Sequence, residues 1–538
     1  MNSVTDSRTG FLELSSRRWT LFVPVLLYGV LVYPFVFRDV LGEPDLERMA
    51  LGLVYGAATG AHEAAGFHYN YLVSFGYYAA LYHLLPQAVL TSSSSLVAVI
   101  NTVGFASAVA SIGLLGLYTE RLFGLAAALV VCIVFGFSPV FLDLGTSGHP
   151  QLPGFALLLL GAWLLTYVTD TKLDRRLRAV LGMLCLVAVV AAMCVRADVA
   201  LAFPFLTLVG SEGGRATRRE WLRAGTIRFL ILAIACVLWL ALELPVYREM
   251  RSGESGGYLG SFMATFYHLM LVPRGLVVFV LGMGVATMLV LLVLLLVPAA
   301  RRLNRLHVIA LAWLALPTLL FWLPNSTPAR HLLLAYLAVS MLIALALTRW
   351  LRASQVIAIA ALMPIADQAI AERSHGFLDS HYEWTYPLLT ARRATTSIPM
   401  GAFPLDHAAK QESFQLLRDE GRSFARACSG RILVISEEPH FMMMSLIERD
   451  PALRMQNYAV DGVRVFRASS RFCTADFVEK QAAARRDTVK DFLGVGQYAG
   501  WPIYFQESRR NAFDRTAVPA DRRASIAAPL ANAGAPAL

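Results

Sequence analysis

Long apolar runs recur along the first two thirds of this chain, and they constrain its fold more than any other feature. About eleven of them approach or reach the length that an α-helix needs to cross a bilayer, roughly 20 residues. The runs cover residues 19–37, 95–117, 124–144, 152–169, 179–195, 198–210, 226–244, 274–298, 306–323, 331–348 and 354–370. The sequence therefore predicts an all-α polytopic membrane domain of about 11–13 transmembrane helices.

The composition agrees with a membrane protein. Hydrophobic residues make up 57% of the chain and charged residues only 16%, whereas soluble domains carry about 25% charged residues. The formal net charge is +10, which in a soluble protein would suggest nucleic acid. Here the basic residues lie in alternate loops, as the positive-inside rule requires. No basic patch is interleaved with aromatic residues, so no nucleic-acid partner is predicted.

The distribution of basic residues also predicts the topology. Arg17 and Arg18 precede the first apolar run, which places residues 1–18 in the cytoplasm. That run ends without a small-residue cleavage site, so it is predicted to be a retained helix. The segment 71–90 is aromatic and disturbs the alternation, and it is predicted to be re-entrant or interfacial. An odd number of spans then places the chain after residue 370 outside, in a plasma (inner) membrane protein.

Beyond residue 370 the composition changes to that of a small extracytoplasmic α/β domain, residues 371–513, followed by a disordered tail at 514–538. Helices are predicted at 406–427, 441–448 and about 475–486, with strands at 431–436, 463–466 and 502–505. Cys428 and Cys473 are the only two cysteines of this domain. An oxidising compartment would allow them to form a disulfide.

The first outer loop, residues 38–70, concentrates carboxylates directly after the first apolar run. Asp39, Glu43, Asp45 and Glu47 fall within nine residues. Carboxylates at a membrane surface stay charged and can accept a proton or hold a cation. The alternative is a solvated loop that only ends a helix. The same loop has His62, Glu63 and His68, whose spacing is a weak metal-ligand pattern.

The other outer loops add arginines and histidines. Arg196, Arg330, Arg248 and His149 are candidate phosphate-binding residues, because an arginine can hold a phosphate through two hydrogen bonds. Each has a plainer interpretation. Arg196 can simply pair with Asp198, Arg330 can anchor a helix end at the interface, and His149 can end a helix beside Pro150.

Several short motifs, in order over about two thirds of the chain, resemble those of the GT-C-type membrane glycosyltransferases. This family includes the bacterial aminoarabinose transferases and the protein O-mannosyltransferases. Asp45 in Glu-Pro-Asp-Leu-Glu matches the first acid of the family's Asp-Glu-x-x-Tyr loop, but the second acid is displaced to Glu47 and the tyrosine is absent. The further matches are Glu120-Arg121-Leu122-Phe123-Gly124, Ser138-Pro139-Val140-Phe141-Leu142, Arg196-Ala197-Asp198 and Ala329-Arg330-His331-Leu332.

The resemblance implies a GT-C-like domain over 19–370 and an inverting transfer of a hexose or pentose from a polyprenyl-phosphate donor. The acceptor would be a glycan, a lipid or a protein. A carboxylate, Asp45 before Glu47 or Glu43, would deprotonate the acceptor, and arginines would stabilise the departing phosphate. No cofactor is required, although a divalent metal stays open. The alternatives are a transporter or flippase of a lipid-linked sugar, with charges deep in its helices, and a non-catalytic membrane scaffold.

Overall fold

A computed structural model of the 538-residue chain describes residues 19–41, 44–59, 71–209, 218–253, 272–296, 303, 305–322, 329–370, 405–436, 439–460, 463–479, 498 and 501–506. The helices are α1 (Phe22–Val32), α2 (Pro44–Thr59), α3 (Tyr71–Leu84), α4 (Gln87–Leu90), α5 (Ser93–Phe123), α6 (Leu125–Gly136), α7 (Pro139–Thr146), α8 (Gln151–Val168), α9 (Arg175–Val195), α10 (Phe203–Leu208), α11 (Arg218–Gly253), α12 (Val272–Met283), α13 (Val285–Leu296), α14 (Arg305–Trp322), α15 (Leu333–Trp350), α16 (Ala353–Ile370), α17 (Leu405–Ala427) and α18 (Pro439–Arg449). The strands are β1 (Gly430–Ser436), β2 (Arg454–Val460), β3 (Val463–Ser469), β4 (Cys473–Glu479) and β5 (Ile503–Gln506). The predictions for 1–18, 371–404 and 514–538 lie outside the described residues.

The chain divides into two compact units, residues 1–36 with 103–407 and residues 37–102 with 408–538. Among the described residues, six helices are long and apolar enough to cross a membrane, and the bent pair α6–α7 is a seventh candidate. Shorter apolar helices accompany them. The prediction of a polytopic helical membrane domain is confirmed.

The first unit buries one apolar interior and leaves other apolar faces uncovered. Tyr28, Phe141 and Phe155 are almost fully buried in its core. By contrast, Met183 and Val187 on α9 are each 62% exposed. Contiguous apolar faces of this kind are rare on soluble monomers. They suit contact with lipid chains, which makes this a multi-pass membrane protein.

Two apolar runs that read as single spans are broken helices. The run 124–144 divides into α6 and α7, which are bent by 67°. Ser138 is extended there, with ψ at 147°, because the residue before a proline avoids the helical region. The run 274–298 divides into α12 and α13 at Gly284, whose φ of 107° is open to glycine and strained for other residues.

A distant carboxylate stabilises the second break. Asp367 of α16 is buried, and its Oδ1 accepts hydrogen bonds from the backbone N of Ala286 at 2.5 Å and of Thr287 at 3.3 Å. Its Oδ2 accepts from the Thr287 hydroxyl at 2.6 Å. A Cβ at Gly284 would lie 2.1 Å from Asp367 Oδ2. The carboxylate therefore caps the N-terminus of α13, whose first N–H groups have no partner within the helix.

The second unit is an α/β structure that includes part of the first outer loop. Its sheet has the order β2-β3-β4-β1-β5, with β1 parallel to β4 and β5, and β3 antiparallel to β2 and β4. Phe37 and Val40 pack with Phe414, Leu417 and Phe441. The predicted α/β domain is confirmed. Residues 37–102 share this unit, whereas the sequence placed them with the membrane domain.

One element of this unit was predicted incorrectly. The helix predicted at about 475–486 begins in β4, which is a strand over Cys473–Glu479. Alanine and glutamate favour helix, but β4 pairs with β1 on one side and β3 on the other. Burial of Ala475 and Phe477 between these neighbours outweighs the local propensity. β2 was not predicted at all.

The segment 71–90 consists of α3 and α4, and it lies in the second unit. At 14 residues, α3 is shorter than the roughly 20 residues that a spanning helix needs. Residues 60–70 lie outside the described residues, so the interfacial or re-entrant placement stays a prediction.

Candidate functional site

Arg196 lies at the point where α9 ends. Its backbone N–H donates to the carbonyl of Ala192 at 2.8 Å, and its φ and ψ of −151° and 102° are extended. A 3-10 helix, Ala197–Ala202, follows directly. The side chain therefore leaves the chain where a membrane helix terminates, and it is 5% exposed. Gly154 of α8 leaves space for it, because a Cβ there would lie 3.2 Å from Arg196 Cγ.

The guanidinium of Arg196 is held on one side by two residues. Its Nε donates to Asp198 Oδ1 at 2.9 Å, and its Nη2 donates to Asp198 Oδ2. Nη2 also lies 3.1 Å from Nδ1 of His331, which belongs to the 3-10 turn Ala329–Leu332. The predicted Arg196–Asp198 pair is present. His331 as its third member was not predicted.

Arg196, Asp198 and His331 line a small, partly open cavity of about 30 Å³. Gln151 of α8 and Thr318 of α14 add two uncharged polar side chains. The remaining wall is apolar, and it consists of Phe155, Val199, Leu201, Leu333 and Leu334. Small-molecule sites commonly combine an apolar wall with a few polar groups in this way.

One edge of the guanidinium is available to a ligand. Among the residues that the structure describes, no side chain or carbonyl accepts a hydrogen bond from Arg196 Nη1. Nη1 is also not one of the enclosed polar atoms that lack a partner. Its two N–H donors are therefore accessible to an anion in the cavity.

The other three predicted phosphate-binding residues are not among the described side chains that line the cavity. Arg330 precedes His331 in the same 3-10 turn, and Arg248 belongs to α11, but the side chains of both lie outside the description. His149 is 3% exposed in the turn between α7 and α8. It follows Gly148, whose φ is 71°, and it precedes the cavity residue Gln151 by two positions. The assignment of these three residues stays a prediction.

The first-loop acids belong to the second unit. Glu43 lies outside the described residues, and Asp45 stands in the first turn of α2 with its side chain outside the description. Glu47 is fully buried, and its Oε1 accepts a hydrogen bond from the Leu41 N–H at 3.0 Å. Residues two apart in an α-helix are about 200° apart around its axis, so Asp45 and Glu47 stand on opposite sides of α2. Burial favours a structural role for Glu47.

Charged neighbours surround Glu47 in a small buried cluster. Arg418 of α17 lies 3.6 Å from Glu448 Oε1 and donates to the hydroxyl of Ser93. Burial raises the pKa of the Glu47 carboxyl, and the neighbouring Glu448 adds to that rise. The Arg418 guanidinium and the Leu41 N–H oppose it. The net direction is upward, so folding favours the protonated acid.

The raised pKa predicts a pH dependence of stability. A carboxyl with a folded pKa above its unfolded value, near 4.5, binds its proton more tightly in the folded state. The stability that it contributes is complete below the unfolded pKa and is lost as pH rises through the folded pKa. We expect Glu47→Gln to remove this loss and to match or exceed the wild type at pH 8. Thermal unfolding in detergent between pH 4.5 and 8 measures it.

The control is Glu47→Ala, which leaves the Leu41 N–H without an acceptor. That change is expected to cost about 1–3 kcal/mol at every pH. If the wild type and Glu47→Gln lose stability in parallel as pH rises, Glu47 is not the titrating group.

Metal-ligand clusters are not found in the described part of the chain. No group of three or more His, Cys, Asp or Glu side chains there has the geometry to hold an ion. His62, Glu63 and His68, the candidates from the sequence, lie outside the described residues.

Comparisons with known proteins identify remote neighbours in structure alone. No protein-family model matches the sequence, and no curated protein matches it. The chain is similar to ArnT from Cupriavidus metallidurans bound to undecaprenyl phosphate, with 15% identity and a TM-score of 0.44 over 82% of this chain and 75% of that one. It is similar to the apo state of the same ArnT, with 13% identity and a TM-score of 0.44 over 81% of this chain and 85% of that one.

A structural similarity with a TM-score of 0.44 does not indicate the activity of this chain. The proposed activity therefore rests on the residues of this chain.

Proposed function

We propose that this protein is an inverting glycosyltransferase that moves a sugar from a polyprenyl-phosphate donor to an acceptor hydroxyl at the outer face of the membrane. The acceptor is a glycan, a lipid or a protein of the cell envelope. The N-terminus is cytoplasmic and the α/β domain is extracytoplasmic, as the alternation of basic loops requires. The observation that carries the proposal is Arg196, a buried arginine with an available edge in an apolar cavity of a membrane protein.

The proposed chemistry is a single displacement. The Asp45 carboxylate takes the proton of the acceptor hydroxyl while the acceptor oxygen forms a bond to the anomeric carbon. The bond from that carbon to the phosphate oxygen breaks, and polyprenyl phosphate leaves with the electron pair. Arg196 stabilises the charge that develops on the leaving phosphate. Because a phosphate is already a good leaving group, the reaction requires no metal.

The proposed donor accounts for the composition of the cavity. A phosphate needs charge-assisted donors, which Arg196 Nη1 supplies. The first prenyl units need an apolar wall, which Phe155, Leu333 and Leu334 supply.

A transporter of a lipid-linked sugar is favoured by one observation. Broken helices with a buried acid near the break are typical of transporters, and α12–α13 with Asp367 is such a place. The Asp367 carboxylate, however, already accepts two N–H groups and one hydroxyl of the break itself. These bonds give Asp367 a structural role as a helix cap, so the transferase is the main proposal.

Replacing Arg196 tests the proposal. We expect Arg196→Ala to weaken binding of undecaprenyl phosphate by about 10- to 150-fold, because a hydrogen bond to a charged group contributes about 1.5–3 kcal/mol. Binding to the purified full chain is measured by native mass spectrometry. Arg196→Ala leaves Asp198 without its ion-pair partner. The variant with both residues changed to alanine is therefore measured as well.

Arg121→Ala is the matched control. Arg121 is also partly buried and paired with a carboxylate, at 2.7 Å from Asp170. It lies over the ring of Tyr167 at the other end of α8 from Gln151, about 24 Å along the helix. Equal binding by the wild type, Arg196→Ala and Arg121→Ala would remove Arg196 from the donor site.

A further inference from the structure

Phosphate binding in the Arg196 cavity poses a charge problem. The guanidinium of Arg196 and the carboxylate of Asp198 already cancel each other, since they form an ion pair. A phosphate ester adds between one and two negative charges beside Asp198. An uncompensated anion in a partly buried apolar cavity is costly. A further positive charge beside the phosphate would offset this cost.

His331 is placed to supply that charge. In the structure its Nδ1 faces Arg196 Nη2 at 3.1 Å. Arginine has no acceptor and keeps its protons, so Nδ1 accepts the hydrogen bond and the ring is neutral. Protonation would turn Nδ1 into a donor and end this bond. Both Nδ1–H and the released Nη2–H could then donate to a phosphate oxygen.

Among the described residues that line the cavity, His331 is the only histidine. Arg196 and Asp198 face it across the cavity, and Arg330 is its neighbour in the 3-10 turn. The elements packed against this turn carry further groups: Asp143 on α7, Arg274 on α12, Arg305 and His307 at the opposite end of α14, and Tyr336 and Arg349 on α15. Arginines and carboxylates keep their charge between pH 6 and 8, whereas histidine ordinarily titrates near pH 6.5.

We propose that His331 is a second phosphate ligand of this cavity and that it takes up one proton from solvent when a polyprenyl phosphate binds. The inference rests on the proposed function, because it assumes that the cavity takes a lipid phosphate. It adds a residue and a regulation to that site: the donor site binds more tightly as the outer compartment becomes more acidic.

The test compares wild type with His331→Gln. The Gln carbonyl oxygen can still accept from Arg196 Nη2, so the guanidinium stays in place, but the side chain does not titrate. The dissociation constant for undecaprenyl phosphate is measured for both proteins from pH 5.5 to 8.5. The phosphate itself titrates near pH 6, and this contribution is common to both proteins and cancels in their ratio. We expect the dissociation constant of the wild type, divided by that of His331→Gln, to rise by up to tenfold per pH unit above the histidine pKa.

His307→Gln is the matched control, since His307 lies at the opposite end of α14 beside Phe123. It should retain the wild-type pH profile. Inorganic phosphate is titrated in parallel, and it should bind far more weakly, because it makes no use of the apolar wall. Equal or tighter binding of inorganic phosphate would contradict a lipid source.

A measurement on the wild type alone covers the case in which His331→Gln does not fold. Calorimetric titration with undecaprenyl phosphate at pH 8, in two buffers of different ionisation enthalpy, counts the protons taken up. At this pH the phosphate is fully ionised, and we expect an uptake approaching one proton. Binding without proton uptake, or with the same pH profile in His331→Gln, overturns the role of His331 and leaves the proposed function standing. No binding by the wild type at any pH refutes the proposed function itself.

Discussion

Replacing Asp45 by asparagine is expected to reduce sugar transfer by about 100- to 10,000-fold, because general base catalysis contributes a factor of that size. Asparagine has nearly the same shape as aspartate, but it cannot accept the proton of an acceptor hydroxyl. Asp45 stands in the first turn of α2, where a carboxylate also interacts favourably with the helix dipole. Donor binding should stay unchanged. Transfer from a labelled polyprenyl-phosphate sugar, measured with purified protein, gives the rate.

Two acids of the same segment serve as controls. Asp39 is exposed before α2, and Asp39→Asn should transfer at the wild-type rate. Glu47→Gln should cost less than Asp45→Asn, because Glu47 is buried and bonded to Leu41. A wild-type rate for Asp45→Asn, with donor binding intact, means that the base is another acid. Glu43 and Asp143 would then be tested next.

The contrast between Asp45 and Glu47 illustrates what the sequence could not supply. The acids at 43, 45 and 47 look equivalent in a solvated loop, and the family motif left Asp45 and Glu47 as competitors. Placing residues 44–59 in a helix separates them, since positions two apart lie on opposite sides. Glu47 is buried beside Arg418 and Glu448, which are remote in sequence and carry no local signal.

The membrane helices could be predicted because their lengths follow from the bilayer. Their breaks could not. Pro139 was a visible signal for the break between α6 and α7, but an apolar run across it still resembles one span. The break at Gly284 depends on Asp367, 81 residues away from Ala286. A remote cap of this kind has no periodicity to reveal it.

The candidate site was predictable in the same partial way. Arg196 and Asp198 are two residues apart, so their pairing was a natural expectation. His331 meets Arg196 across 135 residues, and its only sequence signal was its place beside Arg330. Gln151 and Thr318 gave no signal, because single polar residues at helix ends are common. The sequence identified the site residues that are close together in the chain, but it did not identify those that only packing brings together.

Removing the disulfide between Cys428 and Cys473 is expected to destabilise the second unit by about 4 kcal/mol, the loop-closure entropy for residues 45 apart in sequence. The disulfide predicted from the sequence is present, with Cα atoms 5.7 Å apart. Cys473 begins β4, and it stands opposite Gly430 at the start of β1. The covalent bond therefore joins the first residue of β4 to a residue two positions before β1, the strand beside it in the sheet.

Hydrogen exchange in the intact chain measures this loss locally. In the variant with both cysteines changed to serine, amides of β1 and β4 should exchange several hundred-fold faster, since each 1.4 kcal/mol is a factor of ten. Cys236→Ser is the control, because Cys236 is a free cysteine of the membrane helix α11. Its exchange in β1 and β4 should equal that of the wild type.

Thiol counting gives an independent check of the same bond. The chain has six cysteines, and four of them are free. Protein taken from membranes and denatured without reductant should react at four thiols, and at six after reduction. A disulfide persists only in an oxidising compartment, which fits the extracytoplasmic placement proposed for this unit. Six reactive thiols before reduction would contradict both the bond in the native protein and that placement.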